Sequence, residues 1–344
     1  MSAEQGASAV DGAAGPGARA GTPTMPTVYR EHEMNLVVVR RETVAADVIA
    51  LTLTDPADGA LPGWTPGAHV DLVLDGALTR QYSLCGALQD HKSFRIGVLR
   101  APDSRGGSQL VHEALKEGSQ VRVRGPRNHF TLADAPRYVF LAGGIGITPL
   151  LPMIESVQRR GVPWTLDYGG RQRASMAFLD ELAGYGDRVR VWPQDERGMP
   201  DLPAILGDPR PDTLIYCCGP EGLLSAVQSQ CTAWPAGALH TERFAPRPTE
   251  PATGADTAFE LVLQRSGITT VVPHDKTILE VVEEARISVL SSCRVGTCGT
   301  CEQEVIAGDI DHRDSVLSEE DREAGEYMMI CVSRCRSDRL VLDV

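Results

Sequence analysis

The chain has no excess of basic charge. Its 33 Lys and Arg stand against 46 Asp and Glu, a net charge of −13 over 344 residues. That balance argues against a nucleic-acid partner, whose footprint is a basic patch. It suits solubility, or a partner with a basic docking face. Long apolar runs are missing too. The longest uncharged stretch, Tyr138 to Ile154, is short for a bilayer and is broken by Gly143, Gly144, Gly146, Pro149 and Pro152. No membrane association is expected. The first residues lack the charged start and apolar core of a secretory signal. No internal repeat is visible.

Cysteine is sparse until the C-terminal end: five of the nine fall within the last 55 residues. So few in so long a chain do not make a disulfide framework, and a reducing, cytoplasmic setting is expected. Cys293, Cys298, Cys301 and Cys331 are spaced C-x4-C-x2-C-x29-C, the plant-type ligand set of a [2Fe–2S] cluster. Gly296 and Gly299 let the intervening loop wrap closely, and its small Ser and Thr residues leave amides free to point at sulfur. A structural zinc site built from Cys298, Cys301, Cys331 and Cys335 is the alternative. It leaves Cys293 idle in the most glycine-rich part of the tail, so the iron–sulfur set is preferred and Cys335 is left without a task.

Composition divides the chain. Residues 1–28 are rich in Ala, Gly, Pro and Ser and are expected to be disordered. Residues 29–134 hold short strand-like runs separated by turns, with one helix expected from Ser108 to Glu117; they read as a small antiparallel β-barrel. Residues 135–245 alternate strand-like and helical stretches, with helices expected at 150–160, 175–184 and 221–231, as in an α/β parallel-sheet domain. A proline-containing linker at 246–257 leads into a compact mixed α+β unit, 258–344, that carries the cysteines.

Two motifs in the first unit suit a phosphorylated aromatic ligand. Arg80-Gln-Tyr82-Ser83 ends a strand: Arg80 can pair with an anion, Tyr82 offers a flat face and Ser83 a polar contact. Arg105-Gly106-Gly107-Ser108 opens the helix, where unpaired N–H groups favour a phosphate and Ser108 is the expected N-cap. In the second unit, Tyr138–Ala142 runs into Gly143-Gly144-Ile-Gly146-Ile-Thr148-Pro149, a strand-to-helix turn fit for a pyrophosphate. The spacing is not the common G-x-G-x-x-G. Cys217-Cys218-Gly219-Pro220 ends a later strand, where Cys218 is placed to contact a nicotinamide. Arg171 and Arg173 follow the second strand and face the ribose or phosphate end, or else form a solvated basic loop.

Taken in order, these five motifs resemble the phthalate dioxygenase reductase family, three-domain iron–sulfur flavoproteins akin to the vanillate demethylase and carnitine monooxygenase reductases. The resemblance covers roughly residues 33 to 344. It implies FMN, rather than FAD, held by Arg80, Tyr82, Ser83, Gly106, Gly107 and Ser108, with Ile96–Leu99 lining the ring through backbone. It implies NADH, with NADPH still open, bound through Gly143, Gly144, Gly146, Thr148, Pro149, Arg171, Gly219 and Pro220, and Cys218 at the reacting end. One departure is Tyr168-Gly-Gly-Arg171, where relatives often carry Cys before the first Gly.

The three sites make chemical sense together. A nicotinamide gives up two electrons as a hydride, an iron–sulfur cluster accepts one, and a flavin between them divides the pair. The chain has no Rieske Cys/His pattern and no mononuclear iron site of its own. The expected acceptor is therefore a separate Rieske-type oxygenase, with a cytochrome P450 as the alternative. A non-enzymatic iron–sulfur redox sensor on the same scaffold is the competing reading from another class.

Overall fold

Strand-like runs in the first unit fold as an antiparallel sheet. The computed structural model describes residues 32–74, 78–101, 106–247 and 256–344. The expected disordered tail, Arg105 and most of the linker lie outside the described residues. Strands β1 (His32–Ala45), β2 (Val48–Thr54), β3 (His69–Val73), β4 (Thr79–Ser83), β5 (Ser93–Leu99) and β6 (Gln120–Arg127) pair in the order β4-β3-β6-β1-β2-β5. An isolated bridge between Leu84 and Ile96 ties the two edges, so the sheet curls into a barrel. Alternate apolar residues fill it, among them Leu36, Val38, Leu51, Leu53, Val70, Leu72, Ile96 and Val98. Arg80–Ser83, expected at a strand end, form most of a short strand of their own.

Helix α1 (Gly107–Ala114) lies between β5 and β6 and is shorter than expected. Its N-cap is Gly106 at φ 83°, not Ser108, and no side chain caps it. Ser108 lies inside the first turn, where its hydroxyl accepts the Ala101 N–H at 3.2 Å. A bond to the preceding loop has taken the oxygen that sequence reasoning assigned to capping.

The second unit is a five-stranded parallel sheet. In chain order it contains β7 (Arg137–Gly143), α2 (Leu150–Arg159), β8 (Trp164–Gly170), α3 (Leu179–Ala183), β9 (Val189–Pro193), α4 (Gln194–Arg197), α5 (Leu202–Leu206), β10 (Thr213–Cys218), α6 (Glu221–Gln230) and β11 (Leu239–Glu242). The strand order β11-β10-β7-β8-β9 reverses direction of growth between β7 and β10. The carboxyl ends of those two strands therefore flank a topological switch point, where open α/β sheets take ligands. The helix expected from 175 to 184 begins only at Leu179, because Met176, Ala177 and Phe178 are drawn into the core instead.

The third unit mixes strand directions. It comprises β12 (Phe259–Leu263), β13 (Ile268–Val272), α7 (Ile278–Glu284), β14 (Glu302–Ala307), β15 (Ile310–Asp311), α8 (Glu319–Ala324), β16 (Tyr327–Met329), β17 (Arg334–Cys335) and β18 (Arg339–Leu342). The main sheet runs β13-β12-β18-β14-β16 with β12 and β18 parallel, and β15 pairs with β17 separately. Helix α7 starts in a capping box, Thr277 and Glu280 each bonding the other's backbone N–H. It buries Ile278, Leu279, Val281 and Val282, and the Leu279 N–H donates to the Ile330 carbonyl at 3.0 Å. That bond holds the chain just before Cys331.

Side chains join the units. Arg95 on β5 makes two hydrogen bonds to Glu181 on α3, at 2.7 and 3.0 Å, and its guanidinium lies 5.0 Å from the centre of the Phe178 ring. Arg247, in the linker, donates its backbone N–H to Ser315 Oγ of the third unit at 2.9 Å. Among the described residues no helix is long and apolar enough to cross a membrane.

Thr277→Ala removes half of the capping box and is expected to cost the cysteine-bearing unit about 1 kcal/mol. A lower urea midpoint for the transition of that unit, at unchanged slope, checks this.

Candidate cofactor sites

The cysteine loop, residues 291–301, lies between α7 and β14. Cys298, Cys301 and Cys331 are buried, at 2 to 3 % exposure, and Cys293 is partly exposed. The Cys293 thiol interacts with those of Cys298 and Cys331, and the Cys331 thiol with that of Cys301, so the four lie near one another. Among the described residues no three His, Cys, Asp or Glu groups close round a single point. The fit to a cluster rests on four convergent thiols and on the groups turned toward them. The amides of Val295 and Thr297 donate to Cys293 Sγ at 3.4 and 3.3 Å, and the Cys293 N–H to Cys298 Sγ at 3.5 Å. The Thr300 hydroxyl lies 3.1 Å from Cys298 Sγ. These are the donors expected around thiolates that carry iron. Cys335 Sγ turns elsewhere, to the Ser337 hydroxyl at 3.1 Å and the Arg339 carbonyl at 3.5 Å. The zinc alternative that needed it loses a ligand.

On the barrel, the two separate motifs meet. A Cβ at Gly107 would collide with the Arg80 side chain, so the guanidinium of β4 lies against the first turn of α1. Arg80, Gly107 and Ser108 thus gather at one helix N-terminus. Tyr82, half-buried beside them, has its phenol pushed well up by burial, so it stays neutral. Ser83 is buried at the end of the same strand.

The nucleotide motifs meet at the switch point. A short 3-10 turn, Gly144–Ile147, follows β7 and leads into α2. Gly146 packs against the Cys218 carbonyl so closely that a Cβ there would overlap it. A Cβ at Gly143 would come within 2.6 Å of Pro220 Cδ. The two loops therefore form one cleft. Thr148 is buried at 1 % exposure, its hydroxyl donating to the Ile145 carbonyl at 2.9 Å. Its place is in building the turn. Pro149 is also buried and opens α2 as its N-cap.

Cys218 Sγ is 3.9 Å from Glu242 Oε2 on β11. Burial, then Glu242 and Cys217, push its thiol well up, so it acts as a neutral sulfur. Burial also raises the Glu242 carboxyl to about 8. Sequence reasoning missed Glu242, since a four-residue strand gives little periodicity. Arg173 does not stand alone: its guanidinium makes hydrogen bonds of 2.9 to 3.3 Å with Glu196. Arg171 is exposed, and its carbonyl accepts the Asp195 N–H at 3.3 Å.

Barrel and nucleotide cleft adjoin. A Cβ at Gly97 on β5 would sit 2.8 Å from Thr148 Cγ2 and 3.2 Å from the Phe178 ring. The segment Ile96–Leu99, expected to line the flavin, therefore lies beside the glycine turn.

Residues 261–336 match the family of 2Fe-2S iron-sulfur cluster binding domains. Phenoxybenzoate dioxygenase subunit beta of Ectopseudomonas oleovorans is 44% identical over 303 residues, 87% of this chain and 94% of its own. The solved phthalate dioxygenase reductase, described as a modular structure for electron transfer from pyridine nucleotides to [2Fe–2S], is 35% identical. It superposes with a TM-score of 0.66 over 91% of this chain and 98% of its own. An intact type IV self-sufficient cytochrome P450 monooxygenase is 45% identical with a TM-score of 0.86. There the match covers 91% of this chain but only 41% of the longer protein.

Fold, cysteine set and relatives together define an oxidoreductase that binds a flavin and a pyridine nucleotide and carries a [2Fe–2S] cluster. The chain belongs to the phthalate dioxygenase reductase family, and its role is electron transfer as the reductase component of an oxygenase system.

Cys331→Ser is expected to abolish bound iron, whereas Cys335→Ser leaves iron content unchanged. Iron and sulfide analysis of the two anaerobically purified variants decides it; iron lost equally from both would restore Cys335 to the ligand set.

Proposed function

We propose that electrons enter from NADH, pass through FMN in the barrel and leave by way of the cluster to a Rieske-type oxygenase on a separate chain. One observation carries this reading: the barrel stands between the other two units. Its β5 touches the glycine turn of the nucleotide sheet, and its β4 bonds the cysteine loop through Gln81 and Ser292. A flavin supplies the means to accept a hydride and give up electrons singly. The chain's own residues bind, orient and shield. In this reading the units divide as 29–134, 135–245 and 258–344, joined by the linker at 246–257.

Arg80 and the first turn of α1, Gly106 to Ser108, hold one phosphate between a guanidinium and free N–H groups. One such cradle suits a mononucleotide. Tyr82 stacks on the ring and Ser83 meets its edge. Gly143, Gly144 and Gly146 let the backbone approach a pyrophosphate, while Thr148 and Pro149 fix the turn. Cys218, Gly219 and Pro220 border the nicotinamide, with the neutral thiol excluding water rather than transferring a proton.

Arg171 lies toward the ribose end. Beside it, Glu196 already occupies the Arg173 guanidinium, and Asp195 adds a second carboxylate. A 2′-phosphate would have to displace one carboxylate and lie close to both, so NADH is favoured over NADPH. Nine free cysteines suit a cytoplasmic setting.

Relatives matched over nearly their whole length are separate polypeptides, which supports an acceptor on another chain. A cytochrome P450 acceptor is the second reading, favoured by the 45% identity to the P450-fused protein. A redox sensor needs one centre and leaves two cofactor sites unexplained.

Anaerobic titration with NADH is expected to bleach a flavin band and then the cluster bands at near-stoichiometric nucleotide. Electron delivery to a purified Rieske oxygenase, and not to a P450, completes the test; cluster reduction that never follows NADH overturns it. Glu196→Gln frees Arg173 from an exposed ion pair. It is expected to shift the ratio of kcat/KM for NADPH over NADH upward about fivefold.

A further inference from the structure

Consecutive residues of a strand point to opposite faces. On β4, Tyr82 and Arg80 pair across the ladder with Val70 and Leu72 of β3, both in the barrel core. Gln81 lies between them and faces the other way. It sits directly opposite Asp71, with His69 two residues along β3 on the same face. Arg127, from β6, pairs with Asp71 at 2.6 Å. This outer face of the barrel is a row of polar groups, yet Asp71 is fully buried and His69 nearly so.

The cysteine loop covers that row. One Gln81 amide nitrogen donates both of its hydrogens, to Asp71 Oδ1 at 2.9 Å and to Ser292 Oγ at 2.7 Å. Ser292 immediately precedes the ligand Cys293. On the other limb of the loop, Gly299 at φ 72° lies so close to the His129 ring that a Cβ would overlap it. Two contacts thus pin the loop, one beside Cys293 and one between Cys298 and Cys301.

We propose that Gln81 is a positioning residue that latches the cysteine loop to the barrel and so fixes the gap that electrons cross between flavin and cluster. The proposal rests on the three-site reading above and adds to it the residue that sets the distance. Asp71 is the anchor, its charge met by Arg127, and the Gln81 amide carries the link to Ser292 without adding charge beside the thiolates. Each crossing moves one electron: the reduced flavin loses it, and one ferric iron of the cluster becomes ferrous.

The test uses Gln81→Ala, Ser292→Ala and the double variant in the full, cofactor-loaded chain. Hydrogen exchange of residues 290–301 is expected to rise about fivefold in either single variant, the factor for one lost hydrogen bond. In anaerobic stopped flow with NADH, the flavin phase is expected to keep its rate and the cluster phase to slow by a similar factor. The electron paramagnetic resonance line of the reduced cluster is expected to keep its shape. The double variant should be no worse than the slower single one, because both remove the same bond. Exchange and cluster phase both within about twofold of wild type in Ser292→Ala would overturn the latch, even if Gln81→Ala failed to fold. So would additive losses in the double variant. A wild-type chain with no NADH-driven cluster reduction would instead defeat the underlying reading, and the exchange measurement would still judge the latch.

Discussion

A backbone approach that no side chain permits holds the ends of β7 and β10 together. Gly146 meets the Cys218 carbonyl, and Gly143 meets Pro220, so the ends of β7 and β10 touch where the sheet changes its direction of growth. Neither loop makes a cleft alone. The same kind of closeness recurs where Arg80 lies on Gly107 and His129 on Gly299. In each case two chain segments far apart in sequence converge on one spot, and the missing Cβ is what lets them do so. Hydrophobic burial builds the three sheets, but these glycine contacts decide which loops meet.

Position of the barrel follows from that. Its β5 edge is clamped to the nucleotide sheet by Arg95 and Glu181, and its β4 edge carries the polar row under the cysteine loop. A closed barrel has outer faces to spare, since its own core uses only the inward residues. One partner unit therefore docks at each edge strand. The partly exposed Arg95–Glu181 pair contributes modest energy by itself. Its planar, two-bond geometry fixes orientation instead, and stacking on Phe178 removes the remaining freedom.

What the sequence disclosed and what it concealed divide along a physical line. A cluster demands a particular cysteine spacing, so Cys293, Cys298, Cys301 and Cys331 stand out as candidates in the sequence, and the glycine turn after β7 was readable from the strand before it. Alternating and helical periodicities marked the three sheets. Contacts between distant segments leave no such trace. Gln81 occupied the unassigned position of Arg-x-Tyr-Ser, yet it bonds a residue 211 positions away. Glu242 belongs to a strand too short to show a pattern. The Ser108 hydroxyl, expected to cap α1, was claimed by Ala101, and the expected start of α3 yielded to burial of Met176 and Phe178. Tertiary contacts overrode local preference at both places.

The sulfurs are not equivalent in their surroundings. Described amide and hydroxyl donors fall mainly on Cys293 and Cys298, from Val295, Thr297, Thr300 and the Cys293 backbone itself. Donors aimed at a thiolate stabilise the extra negative charge that arrives with an electron. Cys293 also directly follows Ser292, the residue bonded to the barrel, and lies near His69. The limb of the loop bonded to Gln81 of the barrel is therefore rich in donors aimed at sulfur. His69 is held neutral there, chiefly by burial and then by Arg127 and His129. A neutral ring contributes no charge of its own beside the thiolates, so the polarity that an arriving electron meets is set by fixed backbone dipoles. Dipoles fixed by the fold need no rearrangement when charge arrives, which would suit a centre that takes up and passes on electrons one at a time.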